Sequence, residues 1–135
     1  MNGAWAGKYL AVPWLDRGRT LSGCDCWGLV RLVLHEEAGR ELPDYADLYR
    51  STDDTAGLER LFLDRWPLEG VEQVVGEPRE FDIVLLRIAG QGCHVGVSLG
   101  DGRFLHVTPG STGPTVERLT SPRWAPRLLG VYRHV

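Results

Sequence analysis

A cysteine stands where a turn gives way to a helix in this sequence, in the stretch Asp25-Cys26-Trp27-Gly28-Leu29. Apolar side chains at helical spacings follow at positions 29, 30 and 32–34, and Gly39 stands where a C-terminal cap would lie. Asp25 is a good N-cap, so we expect Cys26 in the first turn. Unpaired N–H groups and the helix dipole favour negative charge there, which predicts a stabilised thiolate and a primed nucleophile. The alternative is a small buried hydrophobic residue.

Two histidines are the second chemical element, because His94 falls in one predicted strand and His106 in the next. Strand side chains alternate between faces, so the hairpin between them decides whether they meet. A two-residue turn at Asp101-Gly102 puts them on opposite faces; a three-residue loop, 100–102, with Gly102 left-handed puts them on one face. On one face they supply a base for the thiol and a polar group that orients the base. Otherwise each is a satisfied or exposed residue without a partner.

The elements around these residues predict an α+β fold. A second helix is capped by Asp53-Asp54, has its apolar face at residues 58–66 and stops at Pro67. From residue 81 the pattern changes to short strands at 81–88, 92–99 and 103–108, with a late strand at Val131-Tyr132. Helices followed by strands indicate N-terminal helices packed on an antiparallel β-sheet.

The composition is that of a globular chain, with 43% hydrophobic and 24% charged residues. Its 135 residues suffice for a single domain, 1–135. A net charge of −3 with scattered arginines excludes nucleic-acid binding. There is no apolar segment behind a basic start, so we expect synthesis in the cytoplasm without a signal peptide, and no membrane span. Three cysteines argue for reduced thiols.

Three ordered motifs carry a resemblance to a known family. They are Asp25-Cys26-x-Gly28-Leu29, then His94-Val95-Gly96-Val97, then Leu105-His106. Their order and separations resemble the signature of the NlpC/p60 family, papain-like cysteine peptidases that cut peptide bonds in bacterial peptidoglycan. The resemblance covers residues 8–110.

The resemblance implies a papain-like NlpC fold in which Cys26 is the nucleophile, His94 the base and His106 the orienting residue. It implies no cofactor. The substrate it implies is the peptidoglycan stem peptide, cut between D-glutamate and the diamino acid. Trp27, the Leu42-Pro43-x-Tyr45 segment and the short chain resemble the phage-tail and prophage branch of the family. That branch implies tail-tip proteins as partners and action at the cell wall as part of a virion.

Three more residues are candidates for substrate or oxyanion contacts. Trp14 stands where many family members have a tyrosine that helps to stabilise the oxyanion, and its indole N–H is a donor. Trp27 replaces a residue that is usually small. Asp25 is placed to meet a substrate ammonium group or to cap the helix. We expect Trp5, Trp66 and Trp124 to be core or interface anchors instead.

A zinc site is another use that the cysteines of this sequence suggest. Cys24, Cys26, Cys93 and His94 are suitable zinc ligands, but Cys-x-Cys is tighter than the usual spacing and Cys93 and His94 point to opposite faces. We therefore predict no metal site. A structural tail component without turnover, or an acyl transferase, remains open. If Cys26 is the primed thiol, iodoacetamide near pH 6 should label it before Cys24 and a buried Cys93.

Overall fold

The computed structural model describes residues 3–135 and has the predicted α+β architecture. A 3-10 helix, Ala4–Tyr9, precedes a small hairpin of β1 (Arg19–Thr20) and β2 (Gly23–Cys24). Helices α1 (Cys26–Ala38) and α2 (Thr55–Arg65) follow, and a 3-10 turn, Trp66–Glu69, extends α2. The remaining strands are β3 (Val71–Val74), β4 (Ile83–Ile88), β5 (Gln91–Ser98), β6 (Arg103–His106), β7 (Thr115–Arg118) and β8 (Leu128–His134). Over the described residues, none of the helices has the length and apolar character that a membrane crossing requires.

Strands β3 to β8 form one antiparallel sheet in the order β3-β8-β4-β5-β6-β7. Both faces of this sheet are apolar. On the helix side, Val95 and Val97 of β5 join the main core with Leu29 and Val33 of α1. A smaller cluster that includes Trp124 covers the opposite face. The sheet therefore has two separate interiors, and neighbouring residues of β5 belong to different ones.

The boundaries of α1 agree with the capping signals in the sequence. The Asp25 carboxylate accepts a hydrogen bond from the Gly28 amide at 2.8 Å, and Gly39 ends the helix with φ 64°. A side chain at position 28 would lie 1.9 Å from the carbonyl oxygen of Gly18, so only glycine fits there. This close approach fixes the first turn of α1, and hence Cys26, against the preceding segment.

Helix α2 is also as predicted. The Asp54 side chain accepts from the Gly57 amide at 3.0 Å, and Leu58, Phe62 and Trp66 are buried. Pro67 is the second residue of the 3-10 turn, Trp66–Glu69, that follows the helix. The α2 helix packs on β5, so both helices support the strand that carries His94.

The strand predictions missed the edges of the sheet. Strands β3 and β7 were not predicted because their short Val-Glu-Gln-Val and Thr-Val-Glu-Arg sequences alternate weakly and lie at exposed edges. The strand predicted from residue 81 begins at Ile83, since Phe81 has a positive φ of 72° that interrupts extended backbone. The late strand is longer than predicted and pairs with β3 and β4.

Candidate active site

The hairpin between β5 and β6 brings the two histidines onto one face of the sheet. The Leu99 amide donates to the Arg103 carbonyl at 2.9 Å, and Gly102 has φ 85°. This is the three-residue loop, and the alternative two-residue turn is wrong. As a result the imidazoles of His94 and His106 form a hydrogen bond of 2.7 Å between Nε2 and Nδ1. Of the two alternatives for the hairpin, the structure has the one that places both rings on one face.

Gly96 makes room for this pair. A Cβ at position 96 would lie 2.9 Å from the Leu105 carbonyl oxygen and 3.2 Å from the Cβ of His106. Both distances are shorter than ordinary contacts, so a larger residue would push His106 away from its position. The glycine of the His-Val-Gly-Val motif thus has a steric reason at this site.

Glu117, which was not predicted as a site residue, and Trp124 contact the histidine pair. The Nε2 atom of His106 is hydrogen bonded to Glu117 Oε2, and the Trp124 indole donates to that same oxygen at 2.9 Å. Trp124 is fully buried, as expected of an anchor, but its ring also stacks on His94 at a centroid distance of 5.7 Å. The sequence held no pattern that predicts the contacts of Glu117 with His106 and Trp124, because Glu117 is an isolated glutamate in an edge strand that was not predicted.

Cys26 lies in the first turn of α1 with only 5% of its surface exposed. Strand β5 pairs with β6 at Val97 and Ser98. The Cys26 sulfur contacts the β5 backbone at Cys93, before this paired region begins. Sγ lies 3.8 Å from the carbonyl oxygen of Cys93, and the Val95 amide also points at it. Among the described residues no hydrogen bond joins Sγ to the His94 ring. The sulfur therefore rests against the backbone on either side of His94.

Burial controls the protonation of this thiol and its neighbour. It raises the pKa of Cys26 to about 12, and the negative charge of Asp25 adds to the rise. The amides of Val95 and Trp27 oppose the rise without cancelling it. The expectation of a stabilised thiolate is wrong for this resting structure, because desolvation outweighs the favourable end of the helix. Burial likewise lowers the pKa of His94 to about 3, helped by the charges of His106 and Arg123. Thiol and imidazole are both neutral near pH 7.

Asp25 is fully buried and its carboxylate is saturated by contacts within the chain. Besides the Gly28 amide, it accepts from the Arg17 amide and from Arg19 Nη1, each at 2.9 Å, and it is hydrogen bonded to the Tyr49 hydroxyl. These contacts tie the 17–19 segment to the start of α1. They support the capping alternative and leave no open lone pair aimed at a ligand.

Trp27 and Trp14 occupy very different surroundings. Trp27 is buried in an aromatic cluster, donates from Nε1 to the Pro43 carbonyl at 2.9 Å and stacks on Tyr45. Its expected contact with substrate is wrong, because the ring fills the interior. Trp14 is half-buried on the segment that bridges to Cys24, and its indole N–H meets no acceptor in residues 3–135.

The candidate zinc ligands point apart. Cys24 Sγ donates to the Thr20 carbonyl at 3.1 Å and Cys93 Sγ to the Ile88 carbonyl at 3.6 Å, while His94 faces the other side of β5. In the part of the chain that the structure describes, no three such side chains converge as metal ligands would. All three cysteines are free and buried.

Comparison with known proteins agrees with this geometry. A model of the NlpC/P60 family matches residues 11–133. This chain belongs to the NlpC/P60 family. Its members are cysteine peptidases that act on peptidoglycan.

This NlpC/P60 chain is similar to a bacterial murein endopeptidase, to a phage tail tip protein and to a solved domain of a peptidoglycan hydrolase. MepS of Escherichia coli K12, a murein DD-endopeptidase and murein LD-carboxypeptidase, is 29% identical over 110 residues, or 82% of this chain and 49% of MepS. Tail tip assembly protein K of Escherichia phage N15 is 31% identical over 96 residues, or 70% of this chain and 39% of protein K. The NlpC/p60 domain of the peptidoglycan hydrolase SagA has a TM-score of 0.61 at 21% identity, covering 96% of this chain and 93% of that one. The chain spans about half the length of MepS and a smaller share, 39%, of protein K.

Proposed function

We propose that this chain is a cysteine peptidase that hydrolyses an amide bond in peptidoglycan stem peptides. Cys26 is the nucleophile, His94 the base and His106 the residue that orients it. The observation that carries the proposal is the hydrogen bond between His94 and His106, on the strand whose backbone Cys26 contacts. Membership of the NlpC/P60 family supports the same assignment.

The proton path follows from the nitrogen that remains available. His94 uses Nε2 for His106, so Nδ1 is left to take the thiol proton. Near pH 7 this nitrogen is unprotonated, because burial lowers the pKa of His94 to about 3. The thiol donates to the Cys93 carbonyl at rest, so the Cys26 side chain must turn toward the ring before reaction. Apo sites commonly tighten in this way when substrate binds.

The bond changes are those of acyl transfer to a thiol. Sulfur bonds to the amide carbon as the thiol proton passes to His94 Nδ1, and the ring then protonates the leaving amine as the C–N bond breaks. Water, with His94 as base, hydrolyses the thioester. The Cys26 amide at the start of α1 is placed to donate to the oxyanion, and the free indole N–H of Trp14 is proposed as the second donor.

For the scissile bond we propose the one between D-glutamate and the diamino acid of the stem. MepS is named for two other bonds, a D,D bond as an endopeptidase and an L,D bond as a carboxypeptidase. A test must therefore offer all three bonds. Similarity to the tail tip protein of phage N15 supports the further proposal that the chain works at the cell wall as part of a phage or prophage tail tip, beside other tail-tip proteins.

A second candidate function is a structural tail-tip component that keeps the fold without turnover. Burial of Cys26 favours it, since the thiol pKa of about 12 leaves little thiolate at neutral pH. The two candidates make opposite predictions for the same assay.

The assay incubates the chain with purified peptidoglycan and with defined muropeptides, and identifies new termini by mass spectrometry. The proposal predicts new amine and carboxyl termini at one stem-peptide bond, lost in Cys26→Ala. Cys93→Ala is the matched control, because it removes an equally buried thiol, which donates to the Ile88 carbonyl, and keeps the Cys93 carbonyl that Cys26 contacts. Intact muropeptides with the wild-type chain would contradict hydrolysis and favour the structural component.

A further inference from the structure

The carboxylate of Glu117 ends a line of polar side chains that crosses three strands. Strands β6 and β7 pair with Phe104 opposite Glu117 and His106 opposite Thr115. Glu117 is therefore diagonal to His106 on the same face of the sheet, within reach for a long side chain. Its Oε2 bonds to His106 Nε2, and the other ring nitrogen of His106 faces His94. The line thus runs from His94 through His106 to Glu117.

The carboxylate decides the direction of each hydrogen bond in this line. A carboxylate only accepts, so His106 Nε2 must carry the hydrogen, and neutral His106 then has its lone pair on Nδ1. His94 must in turn donate from Nε2, which leaves the lone pair on its Nδ1. Without Glu117, His106 is free to donate from Nδ1 instead. His94 would then hold its proton on Nδ1, where it cannot accept another.

The Trp124 side chain packs against the line formed by His94, His106 and Glu117. Its indole N–H donates at 2.9 Å to the same Glu117 oxygen that His106 uses. Its ring stacks on His94 and meets His106 edge-on at a centroid distance of 4.8 Å. The Arg123 guanidinium covers the ring 4.8 Å from its centroid. One buried side chain therefore contacts all three members of the line.

We infer that Glu117 is a positioning residue that fixes the tautomers of His106 and His94, and that Trp124 holds the Glu117 carboxylate in place for this task. The inference rests on the proposed function, because it assigns to these two residues the orientation of the base. Neither residue belongs to the three motifs that carry the family resemblance.

Nuclear magnetic resonance of the ¹⁵N-labelled chain tests the inference without any substrate. Long-range ¹H–¹⁵N spectra show which ring nitrogen of each histidine is protonated. In the wild type we expect both rings protonated at Nε2, and a far-downfield Nε2–H signal from His106. Glu117→Ala should lose that signal. Glu117→Gln should keep both tautomers, since its amide oxygen can accept the same two hydrogen bonds.

A titration of His106 separates positioning from simple packing. The groups with charge or titratable protons that face this ring are His94, Glu117 and Arg123. Burial lowers the pKa of His106, and Glu117 opposes the fall. Glu117→Gln should therefore move the titration midpoint of His106 to lower pH. Glu72→Gln is the control, because Glu72 is exposed on β3 at the opposite edge of the sheet.

Kinetics on a muropeptide substrate complete the test. Glu117→Ala should reduce kcat by about 10- to 100-fold with KM within about twofold of wild type, the range seen when an orienting partner is removed. Glu117→Gln should recover most of that loss. Trp124→Phe keeps a stacking ring but removes the donor, so its loss should fall between those of the two Glu117 variants.

The outcomes distinguish the inference from the proposed function. Wild-type tautomers, an unchanged His106 signal and an unchanged kcat in Glu117→Ala would overturn the inference. If the wild type cleaves nothing but Glu117→Ala loses the His106 signal, the proposed function fails while the tautomer assignment stands. A Glu72→Gln variant that moves the His106 midpoint as far as Glu117→Gln would also overturn the inference.

Discussion

His94 and His106 are joined across neighbouring strands by a 2.7 Å hydrogen bond, and both rings are almost completely buried. Burial lowers the pKa of both. The pair is therefore a neutral relay near pH 7, in which one nitrogen of His94 is left for the thiol.

Acid should destabilise the fold through His94. Its pKa is about 3 when folded and near 6.5 when unfolded, so between these values the unfolded chain binds the extra proton. The contribution of His94 to the free energy of unfolding is fully present above pH 6.5. It falls as the pH drops toward 3, by up to about 1.4 kcal/mol per pH unit. Urea unfolding at several pH values between 3 and 6.5 measures this fall. In His94→Asn the free energy of unfolding should decrease less steeply with falling pH than in wild type.

The control for this prediction is His35→Asn, because His35 is exposed on α1 and its side chain contacts the exposed Glu41. In this variant the free energy of unfolding should depend on pH as it does in wild type. A His94→Asn chain with an unchanged slope would mean that His94 is not the group that is held neutral.

Gly96→Ala should damage both stability and activity. The added methyl group would meet the Leu105 carbonyl oxygen at 2.9 Å and crowd the Cβ of His106. We expect a loss of about 1–3 kcal/mol in the free energy of unfolding, as for other overpacked sites, together with reduced kcat. Gly7→Ala is the matched control, since nothing lies within 4 Å of its added Cβ. Full activity in Gly96→Ala would show that His106 tolerates displacement.

Local signals in the sequence sufficed for the elements that present the chemistry. Asp25 and Gly39 mark the ends of α1, and these caps depend on neighbouring residues alone. Residues 100–102 mark the hairpin in the same way, but they fit both a two-residue turn and the three-residue loop that brings His94 and His106 together, and only the structure decides between them.

Features that depend on distant packing could not be read in this way. Glu117 meets His106 only through the register of an edge strand, and Trp124 reaches both from a loop. The protonation of Cys26 likewise depends on how deeply the tertiary structure buries it, a quantity that the helix boundary does not reveal. Trp27 was assigned to the substrate by its place in the motif, but its ring points into the core.

Trp27→Phe should lower stability without changing the chemistry. The indole N–H donates to the Pro43 carbonyl inside the aromatic cluster, and its removal leaves that oxygen without its donor. We expect a loss of about 1–3 kcal/mol in the free energy of unfolding. KM for a muropeptide should stay within about twofold of wild type, because a buried ring makes no substrate contact. A large rise in KM with unchanged stability would restore the substrate assignment.

Trp14→Phe should behave in the opposite way. The Trp14 ring is half-buried and its N–H has no acceptor among the described residues, so stability should change little. If the indole donates to the oxyanion, kcat should fall by about 100-fold, as when other such donors are removed. An unchanged kcat would assign the oxyanion to backbone amides alone.

Alkylation of the native chain should be slow at pH 6. Burial raises the pKa of Cys26 to about 12 and that of Cys24 to about 11, and it also raises the pKa of Cys93. Iodoacetamide should label Cys26 at least about 100-fold more slowly than in the chain unfolded in urea, and the rate should climb steadily above pH 8. Rapid labelling of Cys26 at pH 6 would mean that the end of α1 stabilises the thiolate after all.

A peptide map after reaction with stem-peptide chloromethyl ketones tests directly whether Cys26 is the nucleophile. Two analogues place the electrophile at the D-glutamyl carbonyl and at the D-alanyl carbonyl, so they cover the proposed bond and the D,D bond for which MepS is named. A bound analogue brings its carbon to the nucleophile regardless of resting thiolate content. We predict an adduct on Cys26 alone, formed more slowly in His94→Ala. An adduct on Cys24 or Cys93, or none with either analogue, would contradict the account.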